Sequence, residues 1–424
     1  MVEVGLLGCG NVGGALVQLL RDDADGIARR TGVRLHVNRV AVRNTAKPRD
    51  VELPADVLTH DAEAVVTDPD VDVVVEVIGG IEPARSLILD ALKAGKPVVT
   101  ANKELLANVG AELFEAAATA GVDLLYEASV AGAIPLIRPL RESLAGERIR
   151  RVMGIVNGTT NYILTRMSEQ GASYADALAE AQSLGFAERD PTADVEGFDA
   201  AAKAAIIASI AFGVRVVAGD VYREGISGVT AADIAFARRL GYVVKLLAIA
   251  EQADGEVAVR VHPAMLPETH PLASVRESFN AVFVEGDAVG ELMFYGRGAG
   301  GMPTAGAVLG DLIDAAHNLR AGGSGRTSPL AKGVIRPIDE MSSQYYLDLT
   351  VDDRPGVLAS VAAVFGEHNV SIRSMEQVGM GAEARLVFIT HTARERDMQA
   401  TIAGLRQLPP VERIGSFLRV VGPE

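Results

Sequence analysis

The sequence predicts an α/β protein: a doubly wound parallel sheet at the N-terminus, a central α+β domain, and a small ferredoxin-like unit at the C-terminus. Three observations carry this reading. The chain opens with a strand, a glycine turn and a helix; apolar strands alternate with helices through about the first 130 residues; and a fresh β-α-β-β-α-β pattern begins after Ser343.

Residues 2–7 form the first apolar strand, Gly8-Cys9-Gly10-Asn11-Val12-Gly13 follows at once, and Ala15 to Leu20 continues with helical character. In this setting G-x-G-x-x-G has a physical role. The first glycine permits a tight turn, the second lets backbone approach a pyrophosphate, and the third lets helix pack on strand, while free N–H groups at the helix start favour phosphate charge. The reading is therefore a dinucleotide-binding (Rossmann) sheet, with Gly8, Gly10, Asn11, Val12 and Gly13 at the cofactor. Further strands are expected at 35–42, 73–78, 98–100 and 122–126, with Pro83 opening one crossover helix and Gly95 closing it. After the second strand, where a carboxylate would select NAD, the chain reads Ala41-Val42-Arg43-Asn44 with Lys47 nearby. Arg43 suits a 2'-phosphate, which favours NADP and leaves NAD open.

The 424 residues carry 40 basic and 55 acidic side chains, a net charge of -15, with no run of basic residues, so nucleic acid is not an expected partner. The most apolar stretch, 200–218, is interrupted by Lys203 and Arg215, which leaves far fewer than the ~20 uncharged residues a membrane span needs. The N-terminus lacks the features of a signal peptide, and the single Cys9 cannot form an internal disulfide; a cytoplasmic location is expected.

Ligands of open parallel sheets bind beyond the carboxyl ends of the strands. Glu76 with Gly79-Gly80, Thr100-Ala101-Asn102-Lys103, and Glu127 through Gly132 stand there. Lys103 at a helix start opposes the helix dipole, which is unfavourable unless an anion lies close. The second informative stretch runs from Leu184 to Lys203, an acidic loop carrying Glu188, Asp190, Asp194, Glu196 and Asp199 ahead of one lysine. The helix that follows, Ala204 to Phe212, has no polar face except Ser209, so Lys203 is in apolar company. Asp199 and Lys203 are four apart on one face. On a surface this would be an ordinary helix ion pair, but a surface pair does not need a buried helix. Burial lowers a lysine pKa and a carboxylate raises it, so the pair can poise an amine for proton transfer. Hydride transfer to an aldehyde leaves an alkoxide that needs a proton, and the reverse needs a base on the hydroxyl. Glu188, Asp194 and Asp199 would suit a substrate carrying an ammonium group.

Thr100-Ala-Asn-Lys103, Glu127-Ala-Ser-Val-Ala-Gly132, Asn157-Gly-Thr-Thr-Asn161, Leu184-Gly-Phe-Ala-Glu188 through Asp199 and Lys203, and Gly298-Ala-Gly300 with Thr304-Ala-Gly306 and Gly310-Asp311 resemble homoserine dehydrogenases, in order, through about residue 340. The resemblance implies interconversion of L-homoserine and L-aspartate 4-semialdehyde in threonine, methionine and isoleucine biosynthesis. It implies Lys203 as acid/base, Lys103 where cofactor and substrate meet, Glu188 and Asp199 on the amino acid with Asp194 supporting them, and Thr100, Gly185 and Gly300 on the nicotinamide side. It also implies a monovalent cation, sodium being the usual one, held by Glu127 and the carbonyls of Val130, Gly132 and Ile134, and a homodimer or homotetramer formed through the central sheet. The expected domains are 1–133 for the nucleotide, completed by 305–340, then 134–304 for catalysis and dimerisation, and 345–424.

In the last unit, Asp352-Asp353-Arg354-Pro355-Gly356 between strand and helix, and Asn369-Val-Ser-Ile later, resemble an ACT domain, a module that binds amino acids between paired copies. The hairpin is expected at Gly379-Met380-Gly381. An ACT domain on such an enzyme suggests feedback by threonine. A thioester-forming dehydrogenase would need a cysteine nucleophile in the catalytic domain, whereas Cys9 lies in the phosphate loop. A non-catalytic nucleotide- and amino-acid-sensing protein is the alternative, and it would be expected to lack the lysine or the acidic cluster.

Overall fold

The computed structural model describes residues 1–324, 330–379 and 383–422. The N-terminal layer contains β1 (Val2–Leu7), α1 (Asn11–Asp22), α2 (Ala24–Thr31), β2 (Leu35–Ala41), β3 (Leu58–Thr59), α3 (Ala62–Thr67), β4 (Val73–Glu76), α4 (Ala84–Lys93), β5 (Val98–Thr100), α5 (Lys103–Ala120) and β6 (Leu124–Leu125). The sheet order is β3-β2-β1-β4-β5-β6, every neighbour parallel. Chain order reverses between β1 and β4, which puts the glycine turn after β1 and the Gly79-Gly80 turn after β4 on either side of one crevice. The short β3 was not foreseen, because two residues carry no period.

The central and C-terminal parts contain β7 (Ile149–Ile155), α6 (Gly158–Gln170), α7 (Tyr174–Ser183), α8 (Thr192–Val195), α9 (Phe198–Phe212), β8 (Tyr222–Arg223), α10 (Ala231–Arg239), β9 (Tyr242–Ala253), β10 (Glu256–Pro267), β11 (Phe279–Gly286), β12 (Gly290–Arg297) and α11 (Gly301–Ala321). They end with β13 (Val334–Ile335), β14 (Ser342–Asp352), α12 (Val357–Glu367), β15 (Ile372–Gly379), β16 (Glu383–Thr390), β17 (Ala393–Arg394), α13 (Glu395–Leu405) and β18 (Val411–Val420). The second sheet runs β12-β11-β7-β9-β10-β18-β14-β16-β15, so the C-terminal strands extend the central sheet. The join is a parallel pairing of Ala264 and Met265 in β10 with Arg419 and Val420 in β18.

The expected C-terminal order of strands and helices is present; the anticipated hairpin at Gly379-Met380-Gly381 lies partly outside the described residues. The segment expected to return to the nucleotide domain divides in two. Helix α11 packs on α1 and reaches β4 and β5, but Ala331 bridges Val214 after α9 and β13 pairs with β10, so 331–335 lies against the central part and β13 joins its sheet. The extended backbone there satisfies its hydrogen bonds at a sheet edge, which an amphipathic helix has no need to do. Among the described residues no helix is long and apolar enough to cross a membrane.

Helix α9 is rich in Ala and Ile because it lies across β9 and β10 and against α5, buried along most of its length. That burial fixes Lys203, on its second turn, at the meeting of the two sheets.

Candidate active site

The cleft is built from strand ends. After β4, the fully buried Glu76 carboxylate accepts N–H bonds from Ile78 (2.8 Å) and Gly79 (3.0 Å) and a hydroxyl bond from Thr100 (2.6 Å). Thr100 is thus spent on holding the turn. Asn102 caps α5 by accepting from Leu105 N (3.1 Å) and donates through Nδ2 to Gly80 O (2.7 Å), so Lys103, the first residue of α5, is aimed across the crevice. A cleft of about 270 Å³ opens there, lined by Val12, Gly79, Asn102, Lys103, Lys203 and Ala299 among others.

Lys203 is 8% exposed and donates to Asp199 Oδ2 (2.6 Å) and to Val156 O (2.7 Å). From the opposite wall Lys103 Nζ stands 2.5 Å from Asp199 Oδ1. Both Asp199 oxygens are thus engaged by ammonium groups, Oδ2 by Lys203 and Oδ1 by Lys103. Asn157 caps α6 and also donates through Nδ2 to Asp194 Oδ1 (2.7 Å) and Asp199 Oδ2 (2.9 Å); Thr159 Oγ1 lies 3.0 Å from Asp194 Oδ2. Burial pushes the Lys203 ammonium down and the nearby Lys103 charge adds to this, while Asp199 pulls the other way; the net direction is down. Burial would raise the Asp199 carboxyl, but the two ammonium groups outweigh it and hold it well below the usual carboxylate range. Burial lowers Lys103 as well, yet Asp199 raises it further, so Lys103 stays a cation. One wall therefore carries a permanent charge and the other an amine able to lose its proton.

The phosphate end is shaped by glycine. A Cβ on Gly13 would sit 2.2 Å from Gly8 O, and Gly8 itself holds φ +100°, whereas a Cβ on Gly10 would meet nothing within 4 Å. Gly10 also caps α1 without a side-chain bond, leaving amides free for an anion. The 298–301 loop closes over this end, since a Cβ on Gly301 would meet Asn11 O at 2.9 Å. These features fit a dinucleotide pyrophosphate.

Lys203, Lys103, Asp199 and Asp194 come together. Glu188 and Gly185 do not: both are exposed, Gly185 with φ +76° in the turn between α7 and α8. Gly300, the N-cap of α11, holds φ +123° next to the cleft-lining Ala299. Arg43 is exposed. Arg49, in the same loop, is part-buried and donates to Asn44 O (2.6 Å) and Lys47 O (2.8 Å); its charge acts on the Cys9 thiol of the glycine turn, and its buried Nε has no partner among the described residues. Arg49 and Asn157 were not picked out from sequence. Asn157 could have been, because its motif was noted; Arg49 sits in a loop with no periodic signal.

The family described as homoserine dehydrogenase matches residues 135–313, its NAD-binding domain matches residues 8–127, and the ACT domain matches residues 345–410. Among curated relatives, the homoserine dehydrogenase of Corynebacterium glutamicum is 53% identical over 99% of this chain and 95% of its own length. The chain belongs to the homoserine dehydrogenase family. The Mycobacterium tuberculosis H37Rv homoserine dehydrogenase is 51% identical over 99% of this chain and 98% of its own. The solved homoserine dehydrogenase of Thiobacillus denitrificans superposes with a TM-score of 0.92 at 42% identity, covering 99% of this chain and 98% of that one. A hyperthermophilic archaeal homoserine dehydrogenase in complex with NADPH covers 74% of this chain and 97% of its own, with a TM-score of 0.63 at 30% identity. Homoserine dehydrogenases are NAD(P)-dependent oxidoreductases that interconvert homoserine and aspartate semialdehyde, and the amine pair at the sheet junction suits that chemistry.

Proposed function

We propose that Lys203 is the acid/base of this homoserine dehydrogenase and that Asp199, Asp194 and Lys103 hold the amino acid beside it. The observation that carries the reading is the Lys203–Asp199–Lys103 bridge across the cleft. Bound nicotinamide supplies the hydride acceptor or donor. In oxidation the neutral Lys203 amine takes the hydroxyl proton of homoserine, and in reduction its ammonium returns a proton to the same oxygen. With Lys203 neutral, Lys103, Asp199 and Asp194 sum to one negative charge, which favours the substrate ammonium. Glu188 reaches this network only if the exposed loop between α7 and α8 folds inward over the substrate, carrying Gly185 toward the nicotinamide.

The phosphate end accepts NADP or NAD through Gly8, Gly10, Asn11, Val12 and Gly13, and Arg43 with Arg49 favours the 2'-phosphate of NADP. The cation reading rests on the turn after β6. Ala131 (φ +56°) and Gly132 (φ +54°) are both left-handed, and the carbonyls of Val130, Gly132 and Ile134 accept no backbone bond among the described residues. The Glu127 carboxylate already accepts from the amides of Leu136, Ile137 and Arg138, so it would serve the ion by its charge more than by an open ligand position. Asp311 beside it is pushed up to about 7, chiefly by burial, a burden that a cation would relieve. In the ACT unit, Asp352 to Gly356 line a cleft of about 340 Å³ with Gln377 and Leu386, which would take an amino-acid effector, threonine first. The central sheet would join two or four copies.

Steady-state assays of Asp199→Asn and Asp194→Asn test the site. Both should raise the homoserine KM at least about tenfold while NADPH binding, read by fluorescence, stays unchanged. An unaltered homoserine KM in both would remove the acidic pair from the substrate.

A further inference from the structure

The C-terminal strand carries an arginine that the reaction does not use. Arg419, in β18, has a side chain only 2% exposed and makes two forked pairings: to Glu395 at the start of α13 (2.7 and 2.9 Å) and to Glu224 of the catalytic part (2.9 and 3.0 Å). Tyr345 donates to Glu395 (3.0 Å), and the Tyr222 hydroxyl donates to Glu224. Arg419 thus straddles the backbone join of β10 and β18.

Glu224 leads to the substrate loop within a few atoms. Its own amide donates to Val261 O (2.7 Å), which locks it to β10. The next residue, Gly225, lies so close to the loop that a Cβ would meet Val195 O at 2.4 Å and Glu196 Cα at 2.7 Å. Ile226, fully buried, donates to Val195 O (2.8 Å), and on the other side the Arg223 guanidinium stands 3.6 Å from the centroid of the Phe198 ring, the first residue of α9. Residues 223–226 therefore brace both ends of the short turn between Asp194 and Asp199. We propose that Arg419 is a positioning residue for homoserine: by fixing Glu224 it sets where segment 222–226 stands and so where Asp194 and Asp199 present their oxygens. This rests on the reading that these two carboxylates hold the substrate.

The forked geometry is what makes the residue specific. A guanidinium can satisfy two carboxylates in fixed planes, and a point-charge ammonium cannot. Glu224 is partly exposed, so Glu224→Gln keeps its shape while releasing the arginine with less risk to folding than Arg419→Met, which would strand Glu395 in the interior.

The test is steady-state kinetics of the full-length Glu224→Gln and Arg419→Met enzymes beside Asp194→Asn, with thermal unfolding of each. The expected result is a homoserine KM raised about tenfold in Glu224→Gln, with NADP KM and kcat within about twofold and folding retained at assay temperature. Arg419→Met, where it folds, should match it, and the double variant should add little. A normal homoserine KM in Glu224→Gln while Asp194→Asn raises it overturns this proposal and leaves the site reading standing. A parallel decline of every parameter with lost stability also overturns it. An unaltered KM in Asp194→Asn overturns both.

Discussion

Asp199 divides its two oxygens between Lys203 and Lys103, so removing its charge acts on both amines at once. The carboxylate raises the Lys203 pKa against burial, and without it the amine loses its proton more readily. In the direction of homoserine oxidation the neutral amine is the active form, so kcat/KM should rise with pH through the Lys203 ionisation. In Asp199→Asn that rise should move to lower pH, even as the absolute rate falls. An inflection that stays in place would show that the titrating group is not Lys203. Sequence made Lys203 and Asp199 legible because four-residue spacing on an apolar helix is a local signal. The same reasoning could not tell that Glu188 is exposed, or that Arg49 is part-buried with its charge acting on the Cys9 thiol while Arg43 is exposed, since loop paths depend on contacts distant in sequence.

At the scale of elements, the β1–α1 turn separates two kinds of glycine. Gly13 is small because Gly8 O is in the way, whereas Gly10 is small with nothing of the protein in the way. Gly13→Ala should lower the melting temperature, by an amount corresponding to about 1–3 kcal/mol of overpacking. Gly10→Ala should leave it within about 0.5 kcal/mol and instead weaken NADPH binding, because the added methyl points into the space assigned to the pyrophosphate. Thermal melts beside NADPH titrations separate the two, and equal effects on both readouts would contradict the assignment. The parallel strands themselves were readable as apolar runs bounded by glycine and proline, and α9 as a helix with hardly a polar face. The two-residue strands β3, β8, β13 and β17 were not, for their existence is decided by the neighbour they pair with.

Across the whole molecule, the composition and element order gave three expected units, but the pairing of β10 with β18 joins two of them into one sheet. Such pairing links residues about 150 positions apart, and no periodicity encodes it. With Arg419 and Glu395 buried at the join and Arg419 also paired to the partly exposed Glu224, the ACT unit and the central sheet should unfold together. Calorimetry is expected to show them in a single transition, and a separate early transition of residues 342–422 would contradict a shared core.

The most direct test of the account is the single-turnover rate at which Lys203→Met, loaded with NADPH, reduces aspartate semialdehyde. The account expects that rate to fall about 10²- to 10⁴-fold with NADPH affinity unchanged. A rate within about threefold of the parent enzyme would contradict the role of Lys203 as the proton donor.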